Sequence, residues 1–386
     1  MRSPSVSLLA LLCALLVAAC ATSPIAPRTD ALFNDHLFAA PSERISADDV
    51  FALSDDMQRF LTHRLAGQPL DSDTRATLID ALYVKGQLKL EYDSTVTRNA
   101  AQAFAARSGN CLSLVIMTAA FARAMGLPVQ FQNVYVEDTV TRRDDMLFFI
   151  GHVNITLAPR QSILKHSALP SLMTVDFLPP QETQGLRLRV LEERTIVAMY
   201  MNNRAAEALA RGDVTDAYWW ARAAVGQDPE LVSAYNTLGV ILRSHGNPVE
   251  AEKVLAYALQ RDPNNTRIVA NLIRVMNDLG QVANAQALTR TLALLEPNPP
   301  YSYFDLGMQA MRDRDFTSAR DLFAKEVARA PFDHEFHFWL ASAYASLGDD
   351  EQARRQMLLA LAYTSNRRDH DLYAAKLDRI RASKVN

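Results

Sequence analysis

The sequence predicts an α+β domain over residues 48–190 followed by an all-α repeat solenoid over residues 191–386. Three observations carry that division. Pro229, Pro263, Pro297 and Pro331 recur every 34 residues in the second half. In the first half the apolar spacing is helical up to Gly126-Leu127-Pro128 and alternates in the manner of strands after it. Ahead of both, an apolar run ends at Cys20, and a polar, proline-containing linker (21–47) leads into the domain. With 386 residues and 49% hydrophobic side chains, each half is long enough to bury a core. A formal net charge of −3 with no basic stripe argues against a nucleic-acid partner.

Residues 1–20 read as an export signal. Arg2 precedes Leu8-Leu9-Ala10-Leu11-Leu12, and the apolar run continues to Val17. It is short for a membrane span, which needs about 20 residues. The run closes as Val17-Ala18-Ala19-Cys20, which resembles the bacterial lipobox. That resemblance implies acylation of Cys20 and anchoring through acyl chains, at roughly 0.8 kcal/mol per buried CH₂. No Asp follows Cys20, and by the same resemblance the expected address is the outer membrane, facing the periplasm. The alternatives are an ordinary secretory signal cut nearby, or an uncleaved anchor. Of the three cysteines, Cys13, Cys20 and Cys111, only Cys111 lies beyond this segment.

Within 48–190, helices are expected over 48–67, 72–90 and 95–104, then from Cys111 to about Ala124. The last begins after Arg107-Ser108-Gly109-Asn110 and stops at Gly126 and Pro128. Strands are expected over 129–136, 148–157 and 173–178, the last ended by Pro179-Pro180. Helices followed by strands predict an antiparallel sheet packed on the cysteine helix. A thiol in the first turn of a helix faces the positive end of the helix dipole and its backbone N–H groups, which favour the thiolate. The N–H of Cys111 is also placed to donate to an oxyanion formed at that sulfur. His152 on the second strand can manage the proton, and Asp176 on the third can orient the imidazole.

Four stretches then resemble the transglutaminase-like superfamily, relatives of papain-type proteases. They are Arg107-Ser108-Gly109-Asn110-Cys111, the run from Phe121 to Pro128, Gly151-His152-Val153 and Val175-Asp176-Phe177. The resemblance covers roughly residues 85–180. It implies that Cys111 is the nucleophile, His152 the general acid/base and Asp176 the orienting carboxylate. It also offers Tyr92, 19 residues before the cysteine, as support for the oxyanion hole. Gln130 departs from the Arg that many relatives carry. The 24-residue connection from His152 to Asp176, with Pro159, Lys165 and Pro170, is longer than the usual hairpin. His166 in that loop is expected to be solvated. Taken alone, Cys111 reads as packing, His152 as a hydrogen-bonded strand residue and Asp176 as a strand-end cap.

In the second half, Ala217, Ala251, Ala285 and Ala319 stand twelve residues before the periodic prolines, and Gly212, Gly246 and Gly280 five residues before the alanines. The pattern breaks at Arg314 and returns at Gly348 and Ala353. Gly ends the first helix of a pair, Ala lets two helices approach and Pro stops the second. This period and these positions resemble the tetratricopeptide repeat, a helical-pair unit that stacks into a solenoid. A final helix from about residue 370 is expected to cover the open end. The resemblance implies a surface for a protein or peptide partner. Trp219-Trp220, Tyr301, Tyr303, Phe336, Phe338 and Trp339 either line a groove for an extended peptide or fill the helix-pair cores. His334, Glu335 and His337 lack the i, i+4 spacing of a helical metal site.

The expected function is an envelope-anchored thiol enzyme acting on peptide or carboxamide bonds, a protease or amidase rather than a transamidase, whose repeats recruit a protein. This chemistry calls for no cofactor or metal. The alternative is a non-catalytic envelope scaffold acting through its repeats.

Overall fold

A computed structural model describes residues 29–65, 73–84, 90–93, 96–143, 146–159, 172–177, 188–364 and 367–383. The chain divides into two units, Met1–Phe38 and Ala39–Asn386. In the first, the described residues wind into 3₁₀ turns at Thr29–Leu32 and Asp35–Leu37. The export signal and Cys20 lie outside the described residues.

The second unit opens with short helices. Helix α1, Asp55–Phe60, starts where the Ser54 hydroxyl accepts the Met57 N–H, and it widens into a π-helical turn at Leu61–Leu65. Helix α2, Thr74–Ile79, is capped by Asp73 and ends the same way over Asp80–Val84. α1 starts seven residues later than the helix expected over 48–67 and α2 two residues later than that over 72–90, while residues 66–67 and 85–89 lie outside the described residues. A capping oxygen that satisfies an orphan first-turn N–H sets where a helix begins, and apolar spacing does not report it. Strand β1, Glu91–Tyr92, runs parallel to β2, Ser108–Gly109. Between them, helix α3, Ala100–Ala106, is set by a reciprocal capping box of Asn99 and Gln102. Helix α4 follows at Cys111–Ala124, and its residues 111–122 are all buried. A helix apolar on every side belongs at the centre of a domain. Phe60, Phe104 and Phe121 knit α1, α3 and α4 together, with ring centroids 5.5–5.7 Å apart.

Strands β3 (Val129–Arg143), β4 (Met146–Leu157), β5 (Met173–Val175) and β6 (Leu188–Leu191) form one small antiparallel sheet in the order β5-β4-β3-β6. β4 packs on α4. β3 outruns the strand expected over 129–136. Its polar stretch from Glu137 to Arg143 lacks apolar alternation, yet the backbone pairing with β4 continues after a register shift between Val134 and Thr139. β6 was not expected. It completes the sheet by pairing Phe131 with Leu191 through Val134 with Leu188.

The rest is helical: α5 (Glu193–Ala210), α6 (Val214–Gln227), α7 (Val232–Ser244), α8 (Pro248–Arg261), α9 (Thr266–Asp278), α10 (Val282–Leu295), α11 (Ser302–Arg312), α12 (Phe316–Arg329), α13 (His334–Ser346), α14 (Asp350–Tyr363) and a closing α15 (Arg367–Ser383). This is a tetratricopeptide-like helical solenoid. The periodic alanines are buried between paired helices. Gly212, Gly246, Gly280 and Gly348 hold left-handed turns between them, and Arg314 adopts the same conformation at φ 60°. The break in the glycine pattern is therefore a change of residue, not of backbone, and Arg314 carries the strain that glycine avoids. At Gly239 and Gly307 a Cβ would lie 2.5 Å from Leu255 and 2.6 Å from Phe323, so the paired helix sits against bare backbone. Ile273 occupies the equivalent position in α9, and its partner α10 buries Ala285 alone.

The stretch expected as linker is bound to the first repeat from Ala39 onward. The Trp219 indole donates to the Ala39 carbonyl at 2.6 Å, and the Ser42 N–H donates to Asp216 at 2.7 Å. Glu43 accepts from the Trp220 indole at 2.8 Å and pairs with Arg204 at 3.0 Å. Arg204 of α5 thereby has an acidic partner from the segment ahead of the domain.

Candidate active site

Each residue of Arg107-Ser108-Gly109-Asn110-Cys111 has a geometric task. Arg107 ends α3 in the left-handed region at φ 53°. Ser108 and Gly109 pair with β1, Tyr92 standing opposite Gly109. Gly109 must be glycine, because a Cβ would lie 2.6 Å from that of Ser113. Asn110 caps α4: its side-chain oxygen accepts the Ser113 N–H at 2.9 Å and the Ser113 hydroxyl at 2.8 Å. Cys111 then occupies the first helical position, at the positive end of the dipole. It is 3% exposed and forms no disulfide.

A second network fastens this cap to the repeats. Buried Thr97 accepts from Asn110 Nδ2 at 2.8 Å and from Asn203 Nδ2, on α5, at 3.3 Å. Its backbone N–H donates to Glu207, also on α5, at 2.6 Å. Burial raises the Glu207 carboxyl above the usual range, while the hydrogen bonds from Thr97 pull it down. The first repeat helix thus shares hydrogen bonds with the turn that presents Cys111.

His152 lies on β4 and Asp176 directly after β5, which pairs with β4 at Ile155 and Val175. His152 Nε2 meets Asp176 Oδ1 at 2.6 Å, and the imidazole also hydrogen-bonds Cys111. With Nε2 committed to Asp176, Nδ1 is the ring atom left to face the sulfur. The three side chains named from the sequence are therefore brought together in one chain of contacts. Burial is the largest single influence on His152 and pulls its pKa down. The hydrogen bond to Asp176, then the hydrogen bond and charge of Cys111, and finally the charge of Asp176 outweigh it and hold the imidazole protonated to about 9.

Sequence reasoning passed over Asn154. It lies two residues along β4 from His152, on the same face, and donates Nδ2 to Asp176 Oδ2 at 3.0 Å. The available signal was a run of polar residues at strand period, His152, Asn154 and Thr156, alternating with Val153, Ile155 and Leu157. Tyr83 was also missed. Its hydroxyl bonds Thr118 of α4 at 2.6 Å and its ring packs 5.3 Å from Phe177, beside Asp176. Burial pushes the Tyr83 phenol well above its usual range.

Other sequence candidates fall elsewhere. Tyr92 is placed by its backbone beside Gly109, and its side chain lies outside the description. His166, Lys165 and Pro170 lie outside the described residues, and Gln130 is an exposed β3 residue. His334 bonds the Tyr373 hydroxyl at 2.8 Å; His337 bonds Gln356 at 2.6 Å and the Pro331 carbonyl at 2.8 Å. Among the described residues, no group of three or more His, Cys, Asp or Glu side chains is placed to hold a metal ion. Of the aromatic residues offered as groove lining, Tyr301 and Phe336 are buried in a repeat core with Trp339 packed against it. Phe338 stacks on Tyr373 of the closing helix at 4.8 Å. The two Trp indoles are held by residues 39 and 43. The core-filling reading describes these positions, and Tyr303 is left partly open beneath Lys325 and Arg329.

The family-model matches fall on the repeats. Residues 242–304 match one tetratricopeptide-repeat family model, and residues 202–266 and 304–368 match another. Solved structures similar to this chain include pilF of Pseudomonas aeruginosa, at 17% identity over 49% of this chain and 94% of that one, with a TM-score of 0.28. YrrB, described as a tetratricopeptide-repeat protein with an unusual peptide-binding site, is 20% identical over 47% of this chain and 92% of its own, with a TM-score of 0.25. MamA of Desulfovibrio magneticus RS-1 is 17% identical over 43% and 94%, with a TM-score of 0.26. Likenesses this distant do not transfer a role. No curated protein matches the chain. The second half carries tetratricopeptide repeats, an architecture that binds protein or peptide partners along its stacked helices.

Proposed function

We propose that this chain joins a protein-binding repeat surface to a thiol centre that acts on peptide or carboxamide bonds at the cell envelope. The observation that carries the thiol centre is the 2.6 Å contact of His152 with Asp176, made by an imidazole that also bonds Cys111. In the reaction, the Cys111 sulfur attacks a carbonyl carbon and a C–S bond forms. First-turn N–H groups of α4 stabilise the oxyanion. His152 gives its proton to the departing nitrogen as the C–N bond breaks. Water then attacks the thioester, returning a proton to the thiol and releasing the acid. Hydrolysis is favoured over amine transfer where bulk water reaches the site. This assignment, like the transglutaminase-like ancestry of residues 48–190, rests on the motifs and the side-chain geometry.

A second reading has its own support. The family matches all fall on the repeats, and Cys111 is almost wholly buried, so these findings back a scaffold with a silent first domain better than they back the enzyme. A thiol-directed amide or acyl probe separates the two. Labelling of the wild type, lost in Cys111→Ala and greatly slowed in His152→Ala, is the result expected of the enzyme. Equal inertness of all three proteins leaves the scaffold.

The envelope address rests on the lipobox-like run ending at Cys20. Radiolabelled palmitate is expected to enter the wild type and not Cys20→Ala. Incorporation into neither would remove the lipid anchor and leave the secretory signal or the uncleaved anchor.

A further inference from the structure

The geometry points to Asn154 as the positioning residue for the Asp176 carboxylate, a role that rests on the thiol-centre reading above. Asp176 has two oxygens, and each is engaged from the same face of β4. Oδ1 takes His152 Nε2 at 2.6 Å, and Oδ2 takes Asn154 Nδ2 at 3.0 Å. Rotation of the carboxylate about its Cβ–Cγ bond would break both contacts. The strand period places the two donors two residues apart, and the β4–β5 register brings the carboxylate alongside them.

The Asn154 amide itself shows which of its ends matters. An ionised carboxylate only accepts, so the amide must turn its NH₂ toward Asp176 and its carbonyl oxygen away. That oxygen, Asn154 Oδ1, is buried with no hydrogen-bond partner among the described residues, in a side chain only 3% exposed. An aliphatic residue of the same size would fill this space and leave no orphan acceptor. The fold tolerates the orphan and keeps the donor. What the donor does follows from charge: a hydrogen bond to the ionised form favours that form. Asp176 stays anionic and fixed, His152 keeps Nε2 turned to it, and Nδ1 remains aimed at Cys111. Among the described residues, the titratable groups that act on the imidazole are Cys111 from α4 and Asp176 from the end of β5, with Asn154 acting through Asp176.

The experiment is titration of the Asp176 carboxyl carbon by ¹³C NMR in the full chain. In Asn154→Leu the midpoint is expected to rise by about one to two units relative to the wild type, the loss of one charge-assisted hydrogen bond. A folded variant with an unmoved midpoint overturns the proposal, because a packing role alone would lower stability without touching that value. If Asn154→Leu does not fold, the wild type still decides. The Asn154 side-chain amide ¹H and ¹⁵N signals are expected to follow the Asp176 titration, and signals that stay still overturn the role. Neither measurement needs a substrate. A shifted midpoint in a protein whose Cys111 never reacts sinks the thiol enzyme and leaves Asn154 holding Asp176. A reactive Cys111 with an unshifted midpoint sinks Asn154 alone.

Discussion

Replacing His152 with glutamine or alanine is expected to slow turnover of an amide-like probe at Cys111 by about 10²- to 10⁴-fold, the usual contribution of a positioned acid/base group. The pH dependence should identify the cause. In the folded chain His152 stays protonated to about 9, above the value near 6.5 of an unstructured histidine. A group whose proton is held more tightly when folded contributes stability fully below about 6.5, and that contribution is lost as pH rises through about 9. Wild-type melting temperature is therefore expected to fall across this window, by the equivalent of at most about 3 kcal/mol. Protonation of the leaving nitrogen should hold through most of this window and fail only as pH passes about 9, where the folded-state ring loses its proton. His152→Gln should flatten both curves. A wild-type melting temperature that is level from pH 6.5 to 9 would remove the linkage and the buried imidazolium with it.

Glu326→Ala is expected to destabilise the repeat array by about 2–5 kcal/mol, read as a shift in urea midpoint at constant slope. Glu326 lies on α12 and is fully buried. Its Oε1 accepts the N–H of Tyr303 at 3.0 Å and of Phe304 at 3.2 Å. These are first-turn groups of α11, whose cap residue Tyr301 is held in the left-handed region at φ 66° and gives no side-chain capping bond. A neighbouring helix thus supplies the cap that the local sequence lacks. Alanine leaves one buried and one part-buried donor unsatisfied and opens a cavity. Glu326→Gln keeps the accepting oxygen and is expected to lose less than half as much. Equal losses in the two variants would show that the two N–H bonds are not what Glu326 contributes.

The repeats were legible because their signals are local and recur. Each copy needs a residue that tolerates a left-handed turn, a small residue at the helix contact and a stop, so period alone exposed them. Gly307 against Phe323 belongs to the same logic, yet close approach between helices is visible only once both are in place. The strand boundaries were less legible. β6 and the polar end of β3 are held by backbone pairing, which has no side-chain period to read. The sequence left Trp219 and Trp220 open between lining a groove and filling a core, and their indole N–H groups are taken by Ala39 and Glu43, distant in the chain.

For the candidate site, the sequence by itself determined that Cys111 begins a buried helix, since Asn110 and the apolar run after it leave few other outcomes. It also set His152 on a strand, by period 2, and placed Asp176 in the last expected strand, which in the structure ends at Val175, one residue before it. Whether those three side chains meet was decided only by the tertiary structure. Strand register and helix-to-sheet packing bring residues 111, 152 and 176 within bonding reach, and these are long-range consequences of burying α4 on β4. Asn154 and the Thr97 link to α5 lie wholly on that side. Each depends on a hydrogen bond between segments distant in the chain, and no spacing along one segment encodes its partner.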